Sequence, residues 1–120
     1  MKPGIDGTVF GSITIEGKTC EGDVIIRLTG EVKKRKKDLS RAIYGTSHIV
    51  SLDEAKHVYQ EGAQRMITGA GQHGLLKLSN EAKDFFEKKS CSIDLLPTPQ
   101  AIKNWNQAQG KVIGLFHVTC

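Results

Sequence analysis

The first half of the chain contains short runs of β-branched residues separated by turn-forming positions. Two such runs cover residues 9–15 and 23–28, and the turn-prone tripeptide Glu16-Gly17-Lys18 lies between them. Short runs divided in this way are typical of antiparallel strands. We therefore predict an N-terminal hairpin or meander, followed by a third, polar strand that begins near Glu31.

The second half alternates between helical and strand patterns. Ser51 and Glu54 have the spacing of a capping box, which predicts a helix from residue 52 to about 62 with Glu54 reaching back to the start of the helix. Ser79 is predicted to cap a second helix. Thr98, followed by a proline, is predicted to cap a third helix that ends near residue 110. Strands are predicted at residues 65–68, 92–96 and 111–120.

This order of elements indicates the fold class. Strands that alternate with short helices need crossover connections, and these give parallel strands. We predict an α/β protein with a mixed central sheet, in which the antiparallel hairpin or meander precedes the alternating helices and strands. A length of 120 residues suits one core, so residues 1–120 are interpreted as a single domain.

Composition excludes several classes of protein. The three cysteines, Cys20, Cys91 and Cys120, have neither disulfide-framework nor zinc-ribbon spacing, so reduced thiols are expected. Neither an export signal nor an apolar run of membrane-spanning length is present in the sequence, which favours a cytoplasmic protein without membrane contact.

The net charge of +4 comes largely from the basic run Lys33 to Lys37. One interpretation is a solvated face that protects a sheet edge from unwanted pairing. The other is a contact with an acidic partner or with nucleic acid. Nucleic acid is the less favoured partner because no aromatic residue that could stack on bases lies within the run.

Residues 69–74 match the pattern G-x-G-x-x-G after a predicted strand. In a dinucleotide-binding protein these glycines would open directly into a helix, whereas residues 75–78 intervene before the cap at Ser79. Asp94, at the distance expected of the ribose-binding acid, falls inside a strand rather than at its end. The loop is therefore interpreted as a tight turn, and no cofactor is predicted.

The carboxyl ends of parallel strands share one edge of a sheet. The glycine-rich loop, Thr98 and the terminal Thr119 and Cys120 should therefore lie along one rim, where loop amides could hold a small anion. The competing interpretation is that the glycines only permit positive φ.

His117 alternates with apolar neighbours and is predicted on the opposite sheet face from Cys120, so the two are poor partners for catalysis. A buried, hydrogen-bonded imidazole is the favoured interpretation of His117. His48, His73, His117 and Cys120 are of metal-ligand type but lack supporting spacing, and no metal is predicted. His57 is predicted to be solvated, and no catalytic residue can be assigned.

Several motifs together resemble the Mth-domain family of small, largely uncharacterised microbial α/β proteins. They are Phe10-Gly11, Gly45-Thr46-Ser47-His48, Gly69-Ala70-Gly71 with Gly74, Pro97-Thr98, Asn106 and the ending Gly114 to Cys120. Members commonly carry Gly-Thr-Gly where this chain has Gly69-Ala70-Gly71. The resemblance implies a three-layer fold with a mixed sheet, and it does not imply a reaction.

Animal relatives in that family include an adipogenesis-associated protein and a mitochondrial complex I assembly factor, so the resemblance favours a non-catalytic interaction or assembly module. The alternative is a protein or enzyme that binds a small anion at the rim. We expect a protein partner, and exposed sheet edges would also allow a homodimer. The candidate pocket comprises Thr46, Ser47, His48, Gly69, Gly71, His73, Gly74, Thr98, Asn106, His117, Thr119 and Cys120.

Overall fold

The computed structural model describes residues 2–120. Its elements, in chain order, are β1 (Ile5–Val9), β2 (Ser12–Ile15), β3 (Lys18–Glu21), β4 (Val24–Ile26), β5 (Val32–Lys34), α1 (Asp38–Tyr44), β6 (Ile49–Val50), α2 (Leu52–Val58), β7 (Arg65–Ala70), β8 (Lys77–Leu78), α3 (Asn80–Lys88), β9 (Ser92–Leu96), α4 (Thr98–Gln107) and β10 (Val112–His117).

An antiparallel meander forms the N-terminal part, as predicted, but its strands differ from those expected. Strands β1, β2 and β3 pair in sequence order. The predicted strand at residues 9–15 is interrupted by a turn at Phe10 and Gly11, and Gly11 has a φ of 94° that favours glycine. The turn at Glu16 and Gly17 is confirmed, although β2 pairs across it with β3 and not with residues 23–28.

The central sheet is mixed, with strand order β5-β4-β10-β7-β9. Strand β10 runs parallel to β7 and antiparallel to β4, and β7 runs parallel to β9. The predicted α/β class with a mixed central sheet is confirmed. A separate parallel pair joins β6 to β8.

Apolar cores cover both faces of this sheet. On one face, Ala55 and Val58 of α2 and Phe86 of α3 pack with the sheet residues Met66 and Leu115. On the other face, α4 and the meander cover the sheet through the buried side chains Trp105, Ile102, Ile5 and Ile13, which pack with Phe116. The protein therefore has three layers.

Two of the three predicted helix caps are confirmed. The hydroxyls of Ser51 and Ser79 accept hydrogen bonds from the backbone N–H groups of Glu54 and Ala82. Helix α2 ends at Val58, earlier than expected. The prediction that Glu54 reaches back to Ser51 is wrong, because the backbone N–H of Ser51 donates instead to the hydroxyl of Ser40.

The predicted cap at Thr98 is wrong. Helix α4 begins after Pro97 without a side-chain cap, because the Thr98 hydroxyl donates to the backbone oxygen of His117 and accepts from the N–H of Gly71. Helix α1 was not predicted, since no side chain caps its N-terminus. Its C-terminus ends at Gly45, which has a φ of 69°.

Candidate functional site

A buried group of charged side chains lies at the carboxyl edge of β10, on the sheet face that α2 covers. Asp23 precedes β4, Arg35 follows β5, Glu54 is in α2, and His117 ends β10. All four are almost completely shielded from solvent. We call these four residues the charge cluster. Charged groups removed from water in this way must be paired with one another.

Arg35 is the centre of the charge cluster. Its Nε donates to Oε2 of Glu54 at 2.6 Å and its Nη2 to Oε1 at 2.9 Å, which is a bidentate pair. Its Nη1 donates to Oδ2 of Asp23 at 2.8 Å, and Nη2 also donates to the backbone oxygen of Ser47 at 2.7 Å. The guanidinium therefore joins four segments of the chain.

Asp23 connects the guanidinium to His117. Its Oδ2 lies 2.7 Å from Nδ1 of His117, and its Oδ1 accepts from the backbone N–H of Val118 at 2.9 Å. Nε2 of the same imidazole lies 3.2 Å from the hydroxyl of Thr119. With the Nδ1 proton donated to Asp23, Nε2 of the neutral ring would accept from Thr119.

The surroundings of Asp23 and Arg35 favour the charged forms of these two groups. Burial by itself raises the pKa of Asp23, but the hydrogen bond and charge of His117, the N–H of Val118 and the guanidinium of Arg35 outweigh burial and lower that pKa to about 2. Burial likewise opposes the charge of Arg35, whereas Glu54 and Asp23 raise its pKa.

An open depression of about 570 Å³ lies directly outside the charge cluster. Its lining residues are Gly22, Asp23, Lys34, Arg35, Lys36, Lys37, Asp38, Leu39 and Arg41. We call it the basic depression. In the described part of the chain, the side chains of Lys34, Lys36 and Arg41 form no ion pair, so these cations are available to an anion.

Lys37 links the basic depression to the charge cluster. Its ammonium Nζ lies 3.7 Å from Oδ2 of Asp23, and its side chain is 30% exposed whereas that of Asp23 is 0% exposed. The same oxygen of Asp23 therefore has three cationic or protonatable neighbours, which are Arg35, His117 and Lys37.

The predicted rim is assembled in the structure. Gly71 donates its N–H to the hydroxyl of Thr98, and the N–H groups of His73 and Leu75 both donate to the backbone oxygen of Cys120. A Cβ added at Gly71 would lie 2.3 Å from the Cys120 carbonyl carbon. The loop amides thus bind the chain's own backbone at this position.

Of the remaining candidate pocket residues, His48 lies beside His117 and Asn106 lies away from the rim. His48 contacts His117 ring edge to ring face with centroids 5.4 Å apart, and the Thr46 hydroxyl accepts from the N–H of His48. Gly74 has a φ of 71°, and Gly69 lies in β7. Asn106 is near the other end of α4 from Thr98, where its side chain bonds both backbone groups of Ile5.

Sequence reasoning missed three members of the charge cluster, namely Asp23, Arg35 and Glu54. The interpretation of the whole basic run as solvated or as an edge guard is wrong for Arg35, which is 6% exposed because its guanidinium pairs with two buried carboxylates. Lys33 and Lys34 do lie on β5, an edge strand. The feature that could have identified Arg35 as different from its basic neighbours was its position one residue beyond β5, opposite Asp23.

Residues 2–120 contain neither a metal-binding group of side chains nor a membrane-spanning helix. No three His, Cys, Asp or Glu side chains come together in a group that could hold a metal ion. No helix has the length and apolar character needed to cross a membrane.

The mixed sheet and three layers formed by residues 2–120 match those of Mth938-like α/β structures. The chain belongs to the family described as proteins of unknown function, DUF498/DUF598, whose model matches residues 5–117. This membership agrees with the resemblance to Mth-domain proteins inferred from the motifs.

Solved structures support the same assignment. A conserved hypothetical protein, PH1505, from Pyrococcus horikoshii OT3 is 30% identical with a TM-score of 0.88, and the match covers 100% of both chains. A protein named MT938 is 31% identical with a TM-score of 0.83, covering 99% of this chain and 100% of the other. A Mth938-like domain from Bordetella pertussis shares the fold at 11% identity and a TM-score of 0.62, covering 96% of this chain and 85% of the other.

Proposed function

We propose that this protein is a non-catalytic interaction module that docks an acidic segment of a partner protein in the basic depression. One observation carries the proposal. Arg35 is folded inward onto two carboxylates, whereas the adjacent Lys34 and Lys36 are exposed at the depression.

The buried Arg35 fixes the backbone position of the adjacent Lys34 and Lys36. Because Arg35 bonds to α2, to Asp23 and to the backbone of Ser47, the segment from Lys34 to Lys36 is held at its centre. Cations on a pre-ordered segment lose less conformational entropy on binding than cations on a free loop. Charge complementarity then favours an acidic partner and speeds its association.

The lining of the depression favours a protein segment over nucleic acid. None of its lining residues is aromatic, so bases would have no stacking surface.

The titratable groups next to the depression support a role without catalysis. The hydrogen-bonded series Asp23, His117 and Thr119 has the order of a general-base relay. However, neither His117 nor Thr119 lines the depression, so the imidazole has no substrate space on that side. The alternative, an anion site on the rim, stays a prediction, and the loop amides there already donate to Cys120. The expected homodimer also stays a prediction.

A charge-neutralised variant tests the proposal. Lys34→Gln/Lys36→Gln removes two cations of the depression, and Lys83→Gln/Lys103→Gln removes two exposed lysines of α3 and α4. We expect the first variant to bind a labelled Glu-rich peptide about tenfold more weakly than the native protein, since each of the two exposed ion pairs lost is worth about 0.2–1 kcal/mol and tenfold corresponds to about 1.4 kcal/mol.

The control variant should bind like the native protein, and native binding should weaken as salt is added. Protein partners captured in cells should be lost with the first variant and kept with the control. Equal peptide binding by both variants would overturn the proposal. If single-stranded RNA bound more tightly than the peptide, and in a salt-sensitive way, nucleic acid would replace an acidic protein segment as the proposed partner.

A further inference from the structure

The basic depression adjoins the buried His117 through Asp23 and Lys37, and regulation of docking there rests on the proposed function. We propose that docking of an acidic segment in the basic depression is coupled to protonation of the buried His117, with Asp23 and Lys37 transmitting the coupling. Protonation of His117 would release Lys37 toward the ligand, so that binding takes up protons and is tighter at lower pH.

The shared oxygen of Asp23 provides the connection. Oδ2 of Asp23 lies 2.7 Å from Nδ1 of His117 and 3.7 Å from Nζ of Lys37. Two cations that neighbour one carboxylate oxygen each reduce the attraction that the oxygen exerts on the other. A change of charge on His117 therefore changes how strongly Lys37 is held.

The charge balance of the cluster gives the direction of the effect. Asp23 and Glu54 contribute two negative charges and Arg35 one positive charge, all at side chains 0% exposed. With a neutral His117, the remaining negative charge is balanced by Lys37 from the depression side. With a protonated His117, the buried groups balance among themselves, and the Lys37 ammonium is available to an anion.

Lys37 is placed to move between these two roles. Its side chain is partly exposed and lines the depression, whereas the side chains of Asp23 and Arg35 are enclosed. An anion in the depression would compete with Asp23 for the same ammonium. By reciprocity, an anion that draws Lys37 away leaves Asp23 with a stronger attraction for a proton on His117.

Other titratable groups also face this region. His48 contacts the ring of His117. His57 of α2 is partly exposed to solvent, and its pKa is lowered first by burial and then by the charges of Lys36 and Arg27. Because His57 is close enough to sense the cations of the depression, it must be tested as an alternative source of any pH dependence.

The test is calorimetric titration of the native protein with a Glu-rich peptide, in two buffers of different ionisation enthalpy between about pH 6 and about pH 8. The glutamates of the peptide stay ionised in this range, because their ordinary pKa is about 4.3. We expect binding about fivefold tighter at the lower pH than at the higher, with net proton uptake. Histidine is the side chain that changes charge in this range.

Two variants identify the groups responsible. Lys37→Met keeps the four residues of the charge cluster but removes the ammonium that neighbours Asp23, so it should weaken binding and remove most of the proton uptake. His57→Gln should keep the proton uptake. Binding without proton uptake by the native protein, or uptake that survives Lys37→Met and is lost in His57→Gln, would overturn the coupling alone. An absence of peptide binding at every pH would overturn both the coupling and the proposed function.

Discussion

Arg35 and Glu54 form a bidentate ion pair that solvent does not reach. Their two hydrogen bonds are 2.6 and 2.9 Å long, and both side chains are 0% exposed. The pair joins the segment that follows β5 to the first turn of α2, although the two residues are 19 positions apart in the sequence. Breaking a buried pair by removing one charge leaves the other charge uncompensated, which is strongly destabilising.

Glu54→Gln is therefore expected to lower the free energy of unfolding by about 3–5 kcal/mol. Urea unfolding followed by circular dichroism would measure this change. Glu87→Gln makes the same chemical change at an exposed position of α3 and should cost about 0.5 kcal/mol or less. Similar costs for the two variants would contradict the role assigned to the pair.

Acid should unfold the protein partly through Asp23. Its pKa is about 2 in the folded protein and about 3.9 in an unfolded chain. A lowered folded-state pKa adds stability above the unfolded value, and this stability is lost as the pH falls from about 4 to about 2. The contribution should amount to about 2–3 kcal/mol.

Unfolding free energies of the native protein measured from about pH 5 to about pH 2 would test this. The pKa of Asp94 is also lowered, first by its hydrogen bond with Arg65, so Asp94→Asn serves as the comparison. We expect Asp94→Asn to remove less of the acid dependence than Asp23 contributes, because the Asp94 side chain is 19% exposed. If Asp94→Asn removed nearly all of it, the assignment to Asp23 would be wrong.

Gly71 should tolerate alanine less well than a glycine of similar backbone conformation. Gly71 and Gly62 have φ values of 97° and 93°, so alanine strains both backbones by about 1–2 kcal/mol. An added Cβ meets nothing within 4 Å at Gly62, but it would lie 2.3 Å from the Cys120 carbonyl carbon at Gly71. We expect Gly71→Ala to cost about 1–3 kcal/mol more than Gly62→Ala, as measured by thermal unfolding. Equal costs would show that the segment at Cys120 moves aside freely.

The Cys91 thiol should be unreactive in the folded protein. Burial raises its pKa to about 11, so very little thiolate is present at about pH 8. Cys20 is only partly buried and should react with iodoacetamide before Cys91. Peptide mass spectrometry would give both rates, and alkylation of Cys91 at the rate of Cys20 without prior unfolding would contradict this expectation.

Local patterns in the sequence were sufficient for the elements that begin with their own capping or strand signals. The bounds of β9 at residues 92–96 were predicted as observed, and Ser79 caps α3 as expected. Both signals arise from neighbouring residues. Helix α1 has no such signal, since Lys37 precedes it without a capping side chain, and its serine Ser40 bonds to Ser51 across the fold.

Local sequence patterns could not predict the charge cluster, for the same reason. Arg35 has four similar neighbours in the sequence, and its partners lie 12 and 19 residues away. Thr98 has the local pattern of a helix cap, yet its hydroxyl bonds to Gly71, which follows β7, and to His117 at the end of β10. At Thr98 the distant partners prevailed over the local cap, whereas Ser51 and Ser79 keep their local caps.

The position of β10 has a consequence for how the chain folds. Strands β4 and β5 come from the first third of the sequence, β7 and β9 come from the second half, and β10 follows all of them yet lies between the two pairs. The pairs have no direct contact in the sheet until β10 enters. Pairing over such sequence separations slows folding. The sheet should therefore close late, when residues 112–117 insert as its central strand and bring His117 beside Asp23.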